Sequence, residues 1–385
     1  MSATGTPLVG MVAGEASGDF LGAHLVRALR ERRPEIRFAG IGGPRMEAAG
    51  FDSWFSMEKL AVRGYTEVLR HYPEIVSIRS RLKQRLLAAK PSLFIGVDAP
   101  DFNLGLERSL KRRGIATMHY VSPSVWAWRG SRVRKIGRSA DQILALFPFE
   151  VPIYRNAGIP VQYVGHPLAD AIPTEDGTAA AREKLRIPAG RRVVALLPGS
   201  RQSELHYMAG LFVRTAQLVA EHLPGTHFLT PLASRETRAQ FESALYAGGA
   251  QDLPLTILFG HAREAIAAAD AVLVASGTAT LETALYRKPM VITYRMANTT
   301  WKLMSRMRYQ PYVGLPNIIA GEFVVPELLQ DEATADNLAQ ALLNVLLDPV
   351  VRRRVPERLA DMHKLLRQDT AARVSEAVLA CLHRS

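Results

Sequence analysis

Carboxylates stand at the end of an apolar run in the first half of the chain, where they could take up a proton. Asp98 ends the run 93–98, and Asp101 follows it directly after a proline. In parallel sheets ligands bind beyond the carboxyl ends of the strands, so we assign Asp98 the role of a general base. Asp101 is expected to cap the next helix.

A glycine-flanked turn, Gly14-Glu15-Ala16-Ser17-Gly18-Asp19, follows the apolar run 8–13 and precedes a helical pattern. Glycines at both sides of a Glu and a Ser fit an anion-binding turn or a tight structural turn. The sequence leaves both interpretations open at this point.

Two further turns, in the second half, combine glycine with groups that bind anions. The first, Pro198-Gly199-Ser200-Arg201, follows the run 192–197 and places an Arg in the first turn of a predicted helix. A cation is unfavourable there unless it faces a bound anion, whose oxygens its planar fork can grip. The alternative is an ordinary surface Arg.

The second such turn, Ser276-Gly277-Thr278-Ala279-Thr280-Leu281-Glu282, follows the run 271–275. Ser276 or Thr278 could cap the helix, its free N–H groups could hold a diphosphate, and Glu282 could accept hydrogen bonds from a ribose. The alternative is a capped helix with a favourable acidic residue. Together the two turns favour a nucleotide site. Neither a Walker loop nor a GxGxxG fingerprint follows any predicted strand, which disfavours NAD.

An aromatic and basic block follows the run 115–121. It comprises Ser122-Pro123-Ser124-Val125-Trp126-Ala127-Trp128-Arg129, with more Arg and Lys residues up to Arg138. Such a mixture suits a sugar phosphate or a lipid interface. The alternative is one core Trp beside a solvated helix face.

An apolar stripe at helical spacing runs through residues 62–82, with arginines interleaved. It includes Val68, Leu69 and Tyr72. An amphipathic helix with basic flanks can lie in a membrane interface. A helix that faces the core is the commoner outcome for such a stripe.

The positive charge of the chain is concentrated in one region. The net charge is +12, and residues 61–140 contain 16 basic and 5 acidic residues. This basic stretch favours a polyanionic partner, namely nucleic acid, an anionic membrane or a phosphorylated ligand, although a solvated face explains it equally well. The single Cys381 excludes an intrachain disulfide and a cysteine-based zinc site.

The elements that must position these residues alternate between short apolar runs and helical patterns, which is typical of parallel sheets covered by helices. The predicted strands are 8–13, 37–41, 93–98, 115–121, 142–146, 161–164, 192–197, 227–232, 255–258, 271–275 and 290–293. The chain is long enough for two or three domains. A polar segment, 171–191, is the predicted linker. We expect an N-terminal domain over 1–172, a C-terminal domain over 173–350, and helices over 351–385 that pack back on an N-terminal domain.

Six blocks of the sequence resemble those of the bacterial lipid-A-disaccharide synthases, glycosyltransferase family 19, in the same order and over nearly the whole chain. The blocks are Gly14–Asp19, Asp98–Asn103, Tyr120–Trp128, Leu196–Arg201, Ala275–Glu282 and Leu315–Asn317. The resemblance implies an α/β protein of GT-B fold, in which two Rossmann-like doubly wound domains face each other across a cleft, with C-terminal helices.

The resemblance also implies a reaction. An inverting enzyme of this family moves 2,3-diacylglucosamine from UDP-2,3-diacylglucosamine to 2,3-diacylglucosamine 1-phosphate (lipid X), giving the lipid A disaccharide 1-phosphate and UDP. Inversion needs one base, for which Asp98 is the first candidate and Asp101 and Glu15 are the reserves. Arg201 would stabilise the leaving UDP. No cofactor and no metal are expected, and the chain has no Asp-x-Asp motif.

Site residues follow from the resemblance by position. The donor residues are expected to be Ser200, Arg201, Ser276, Gly277, Thr278, Thr280, Glu282 and Asn317. The acceptor residues are expected to be Glu15, Ser17, Asp101, Asn103, Ser122, Trp126 and Arg129. Val68, Leu69 and Tyr72 are expected to meet acyl chains or the membrane.

The implied partners are the two lipid substrates and the anionic cytoplasmic face of the inner membrane, bound peripherally by a cytoplasmic protein. A homodimer is left open. The main alternative is another metal-independent GT-B enzyme, either a peptidoglycan-type N-acetylglucosaminyltransferase or a UDP-sugar epimerase. A nucleic-acid-binding protein is disfavoured, because no recognition helix, RNP-like strand or zinc module is present.

Overall fold

A computed structural model describes residues 6–60, 65–123, 133–188, 190–298, 301 and 311–383, with the backbone alone for 65–72. The chain divides into two compact units, Met1–Pro167 with Arg367–Ser385, and Leu168–Leu366. Each unit contains one parallel sheet with helices between its strands, which confirms the predicted α/β class. Within the described residues, no helix is both long and apolar enough to span a membrane.

The first unit has seven strands in the order β3-β2-β1-β4-β5-β6-β7. The strands are β1 Leu8–Ala13, β2 Arg37–Gly42, β3 Asp52–Ser56, β4 Leu93–Val97, β5 Ala116–Tyr120, β6 Gln142–Ala145 and β7 Val161–Tyr163. The helices are α1 Ala16–Arg32, α2 Pro44–Ala48, α3 Tyr65–Ala89, α4 Pro100–Lys111, α5 Val133–Gly137 and α6 Glu150–Asn156. The next helix, α7 Pro167–Ala171, starts at the boundary and lies in the second unit from Leu168 onward. β1 pairs with both β2 and β4, so the strand order reverses between β1 and β4.

The second unit has six strands in the order β10-β9-β8-β11-β12-β13. The strands are β8 Val193–Leu197, β9 His227–Leu232, β10 Leu255–Phe259, β11 Ala271–Ala275, β12 Met290–Tyr294 and β13 Glu327–Leu329. The helices are α8 Thr178–Lys184, α9 Gln202–His222, α10 Arg235–Ala247, α11 Ala262–Ala268, α12 Thr278–Leu285, α13 Leu315–Ala320, α14 Ala335–Leu347 and α15 Pro349–Leu366. Here the order reverses between β8 and β11.

The C-terminal helices are shared between the units. α15 packs against α12, α13 and α14 in the second unit, whereas the last helix, α16 Thr370–Leu382, packs on α1 in the first. The segment expected to return as a whole, 351–385, is therefore divided near residue 366.

The apolar stripe of 62–82 faces the core in its described half. Ile78 and Leu82 of α3 are 3% and 0% exposed and belong to the cluster that contains Phe94 of β4. The side chains of Val68, Leu69 and Tyr72 lie outside the described residues. The basic side chains nearby are partly used within the fold, since Arg81 and Arg85 lie over the rings of Phe55 and Trp54 at 5.2 and 4.2 Å.

Candidate functional site

A cavity of about 450 Å³ lies in the second unit, at the carboxyl ends of β8 and β11 where the strand order reverses. This is the position at which open α/β sheets bind ligands. We call it the donor cavity. Among the predicted donor residues it is lined by Ser200, Arg201, Ser276, Gly277, Thr278 and Glu282.

The turn after β8 is closed by a carboxylate that the sequence analysis missed. Glu204 accepts hydrogen bonds from the backbone N–H groups of Ser200 at 2.9 Å and Arg201 at 3.2 Å. Gly199 has φ +126°, and a Cβ there would lie 2.7 Å from the Cβ of Glu204, so this turn requires glycine. The Glu204 carboxylate therefore already binds the backbone N–H groups at the start of α9, where a ligand anion would otherwise bind.

Arg201 precedes α9 at the N-cap position, one residue before the first turn in which we expected it. Its side chain is 57% exposed and lines the donor cavity, with Nη1 3.6 Å from Oε1 of Glu204. The guanidinium is thus held loosely by one carboxylate and keeps donors available for a ligand.

The turn after β11 is open. α12 has Gly277 at its N-cap and no side-chain cap, so the predicted capping by Ser276 or Thr278 is wrong. In the described part of the chain, the N–H groups of Thr278 and Ala279 have no acceptor within the helix. They remain available to an anion, and the helix dipole favours one.

Thr280 and Asn317 do not line the donor cavity. The Thr280 hydroxyl is buried and donates to the Gly277 carbonyl at 2.7 Å. Asn317, on α13, is fully buried, donates to Val325 O and a Glu327 carboxylate oxygen, and accepts from the N–H groups of Val324 and Val325. Both side chains hold the protein backbone in place.

Glu282 lies one turn into α12 and lines the donor cavity. Nε of Arg263, from α11, donates to its Oε1 at 3.2 Å, which leaves the second carboxylate oxygen for other donors. Tyr294, at the end of β12, completes the wall, and burial raises the pKa of its hydroxyl. The sequence analysis missed both residues, because Arg263 follows β10 and Tyr294 ends β12 without a distinctive pattern.

A larger cavity, of about 780 Å³, lies where β8, β11 and β12 begin. Its charged side chains largely bond within the protein. Arg182 pairs with Asp270 at 2.9 Å, and Lys288 donates to Thr178 at 2.6 Å. This cavity is at the opposite ends of the strands from the donor cavity.

The first unit has its candidate site at the carboxyl ends of β1 and β4, the reversal point of its own sheet. The turns after these strands touch each other, because a Cβ on Gly14 would lie 2.7 Å from the Cβ of Ala99. The Ser17 hydroxyl faces Asp98 Oδ2 at 3.5 Å. Glu15 precedes α1 at its N-cap position. The structure thus brings Glu15, Ser17 and Asp98 together.

The backbone of the Asp98 turn, residues 98–101, is unusual. Asp98 and Ala99 have φ values of +54° and +43°, a region that non-glycine residues seldom adopt. Ala99 is the N-cap of α4, and Asp101 lies exposed inside the first turn of that helix, so the predicted cap is wrong. Consecutive strained residues are typical of functional sites.

Asn103 stabilises this turn. Its amide donates to the Asp98 carbonyl at 2.8 Å and to the Val12 carbonyl at 3.3 Å, and its side chain is fully buried. Asn103 therefore reaches the protein backbone beneath the predicted acceptor site.

Asp98 sits in an environment that favours the neutral carboxyl. Burial raises its pKa above the ordinary value, and the nearby Glu15 adds to the rise. The Ala99 N–H, the His119 charge and the Ser17 hydroxyl oppose the rise without cancelling it. A carboxylate with a raised pKa is a stronger base near neutral pH.

The remaining predicted acceptor residues are only partly described. Ser122 is buried, and its hydroxyl lies 2.8 Å from the Tyr154 hydroxyl. Trp126 and Arg129 lie outside the described residues. Within those residues, no group of three or more His, Cys, Asp or Glu side chains could hold a metal ion.

Comparisons with known proteins identify the family. A family model described as lipid-A-disaccharide synthetase matches residues 9–380. A lipid-A-disaccharide synthase of Dechloromonas aromatica is 57% identical over 376 residues, covering 97% of this chain and 98% of the relative.

Solved structures confirm the GT-B fold. MurG of Acinetobacter baumannii has a TM-score of 0.60 at 13% identity, covering 98% of this chain and 100% of that one. A UDP-GlcNAc 2-epimerase from Neisseria meningitidis, bound to UDP-GlcNAc, has a TM-score of 0.62 at 12% identity, covering 98% and 99%. These identities show the fold alone. The peptidoglycan-type and epimerase alternatives are not favoured, because the family model and the 57% identical relative are both of the lipid-A-disaccharide synthase family. The chain belongs to the lipid-A-disaccharide synthase family and is a glycosyltransferase of lipid A biosynthesis.

Proposed function

We propose that the protein transfers 2,3-diacylglucosamine from its UDP carrier to lipid X with inversion at the anomeric carbon. The observation that carries this proposal beyond the family is the partly buried carboxylate of Asp98 at the reversal point of the first sheet, beside the Ser17 hydroxyl, where loss of solvent raises its pKa. An inverting transfer needs one such base, and no second protein nucleophile.

The donor cavity would hold UDP. Its diphosphate would lie at the open start of α12, against the N–H groups of Thr278 and Ala279, with the Arg201 guanidinium beside it. Glu282 would accept hydrogen bonds from the ribose diol with the carboxylate oxygen that Arg263 leaves available. Thr280 and Asn317 would support this site through the backbone without touching UDP.

The chemical step would be one in-line displacement. The 6-hydroxyl oxygen of lipid X attacks the anomeric carbon of the donor, and its proton passes to the Asp98 carboxylate. The bond between the anomeric carbon and the UDP oxygen breaks, and its electron pair leaves with UDP. Arg201 and the start of α12 stabilise the charge that grows on the diphosphate.

The acceptor would bind on the first unit, near Glu15, Ser17 and Asp98. We further propose that this unit meets the anionic inner-membrane surface on its cytoplasmic side, since both substrates carry acyl chains and the basic stretch 61–140 is strongly cationic. Some basic residues of this stretch form ion pairs within the protein, as Lys111 does with Asp141 at 2.9 Å. We therefore expect the attraction to the membrane to be moderate.

The test is a turnover assay with UDP-2,3-diacylglucosamine and lipid X, followed by UDP release and by mass spectrometry of the lipid product. We expect stoichiometric UDP and tetraacyl disaccharide 1-phosphate. UDP-N-acetylglucosamine in place of the acylated donor is the matched control, and we expect little product from it. Equal transfer from the soluble donor, or UDP release without disaccharide, would reject the proposal.

A further inference from the structure

A buried pair of ionisable side chains lies behind the Asp98 turn. Nδ1 of His119, on β5, is 2.6 Å from Oε1 of Glu107, on α4, and both side chains are 0% exposed. Burying two charges is costly, and such a pair adds little net stability compared with apolar side chains of the same size. The pair therefore calls for an explanation other than stability.

A glycine on the neighbouring strand β4 leaves the space that this pair occupies. Gly96 of β4 is the register partner of His119, and a Cβ on Gly96 would lie 2.1 Å from Oε1 of Glu107. Any larger residue at 96 would push the carboxylate away from the strands. Gly96 also stands two residues before Asp98, so the pair lies beside the end of β4 that leads into the Asp98 turn.

Three polar atoms of this cluster have no hydrogen-bond partner among the described residues. They are Nε2 of His119, Oε2 of Glu107 and Oδ1 of Asn103. The amide of the same Asn103 donates to the Asp98 carbonyl at 2.8 Å. Buried polar atoms without partners are rare and often belong to functional sites.

The charges of the cluster act on one another. The titratable groups that act on Asp98 are Glu15, before α1, and His119, with Glu107 behind His119. Burial works to lower the pKa of His119, but the Glu107 carboxylate, with help from Asp98, raises it above the ordinary value. The raised pKa favours the protonated form of His119, and the charge of that form lowers the pKa of Asp98.

We propose that Glu107 and His119 are positioning residues for Asp98: Glu107 keeps His119 protonated, and the imidazolium keeps the partly buried Asp98 ionised and ready to accept a proton. This inference rests on the proposed role of Asp98. The number of protons on His119 and Glu107 does not change during the reaction. Asp98 alone gains the proton that the acceptor hydroxyl loses.

The expected consequence is a displaced pH profile. In His119→Gln the Asp98 carboxylate loses its cationic neighbour, so its pKa rises. The acidic limb of kcat/KM should move upward by about one unit, which is about tenfold in rate below the limb. Above the limb, where Asp98 is ionised again, the rate should return close to that of the parent.

Glu107→Gln should shift the limb in the same direction, because His119 then loses the carboxylate that keeps it charged. The double variant should shift it no further than His119→Gln alone, since Glu107 acts through His119. His363→Gln is the matched control, because His363 is also buried, at 1% exposed, but bonds to the Ala169 carbonyl in the second unit. It should leave the limb in place even if it lowers the melting temperature.

A purely structural pair would lower the rate equally at all pH values and leave the limb unmoved, and that result would overturn the proposal. A second measurement serves if the His119 and Glu107 variants do not fold. In the parent protein, NMR of labelled histidine should show one imidazole whose pKa lies above the ordinary histidine value and falls in Asp98→Asn. Finding no such histidine would also reject the proposal. If Asp98→Asn itself retains normal turnover, the base assignment fails instead, whatever the limb does.

Discussion

At the scale of single residues, Asp98 has two unfavourable features: a carboxylate that is partly removed from solvent and a backbone conformation with positive φ. Its φ of +54° is tolerated better by Asn than by most other residues, and its charge is partly buried. Folding alone would therefore be served as well by Asn at this position. The Asp is best explained by the chemistry of its carboxylate.

Asp98→Asn should reduce turnover by about 10²–10⁴-fold, the usual contribution of a general base. UDP affinity should not change, and the melting temperature should not fall, since Asn suits the backbone and removes a buried charge. UDP-release kinetics and a thermal melt check both points. Asp252→Asn, at an exposed loop position, is the matched control. Near-normal turnover in Asp98→Asn would contradict the assignment.

Glu282→Ala should weaken UDP binding by about tenfold or more, because hydrogen bonds to a charged group contribute about 1.5–3 kcal/mol. It also leaves Arg263 without its partner in the donor cavity. Titration calorimetry with UDP measures the effect. Glu242→Ala, an exposed carboxylate on α10 paired with Arg238, should bind UDP like the parent. An unchanged affinity in Glu282→Ala would exclude the ribose contact.

Arg201→Ala should reduce kcat more than it reduces UDP affinity, because the negative charge on the leaving diphosphate grows in the transition state. The guanidinium is 57% exposed and lies 3.6 Å from a Glu204 carboxylate oxygen, which leaves it able to follow that charge. Comparing kcat with the calorimetric Kd of the variant separates the two effects. Equal losses in both would assign Arg201 to uniform binding.

At the scale of elements, the start of a helix can serve folding, when a protein carboxylate accepts from its N–H groups, or binding, when those N–H groups are left for a ligand. Glu204 closes the start of α9, and the start of α12 stays open. In the first unit, buried Asp19 closes α2 by accepting from the N–H groups of Gly43, Arg45 and Met46 at 2.9–3.1 Å. The last residue of the turn Gly14–Asp19 is thus structural, while Glu15 and Ser17 lie beside Asp98.

Asp19→Ala should leave those three N–H groups without a side-chain acceptor, at a cost of about 2 kcal/mol. For a unit of this size the melting temperature should fall by about 4–8 °C. A thermal melt followed by circular dichroism measures it. Glu31→Ala removes the same charge from an exposed position on α1 and should melt like the parent. Equal melting of both variants would show that the cap contributes nothing.

At the scale of the whole molecule, several basic side chains of the stretch 61–140 bind other groups within the protein. Lys111 pairs with Asp141 and donates to the Ala140 carbonyl, and Arg81 and Arg85 lie over aromatic rings. The charge left for a membrane is therefore smaller than the count of residues indicates.

The protein should bind anionic liposomes reversibly, and binding should weaken as salt rises, because the attraction decays within a Debye length of roughly 8–10 Å. A salt-resistant fraction should disappear when Val68, Leu69 and Tyr72 are replaced by Ser. Flotation with anionic and with neutral vesicles, beside a melting curve, measures both. A variant that melts far below the parent would show instead that this part of the stripe belongs to the core.

Local patterns in the sequence determined the fold class, eleven of the strands and the turns that follow them, because apolar runs and glycine turns are short-range features. They did not reveal the edge strands β3 and β13, which are only half-buried and lack continuous apolar runs. They also missed Glu204, Arg263, Tyr294 and the pair of Glu107 with His119. Only the tertiary structure decided which polar side chains meet. His119 reaches Glu107 because Gly96 leaves room beside β5, and Asn317 and Asn103 turn inward because backbone groups needed partners.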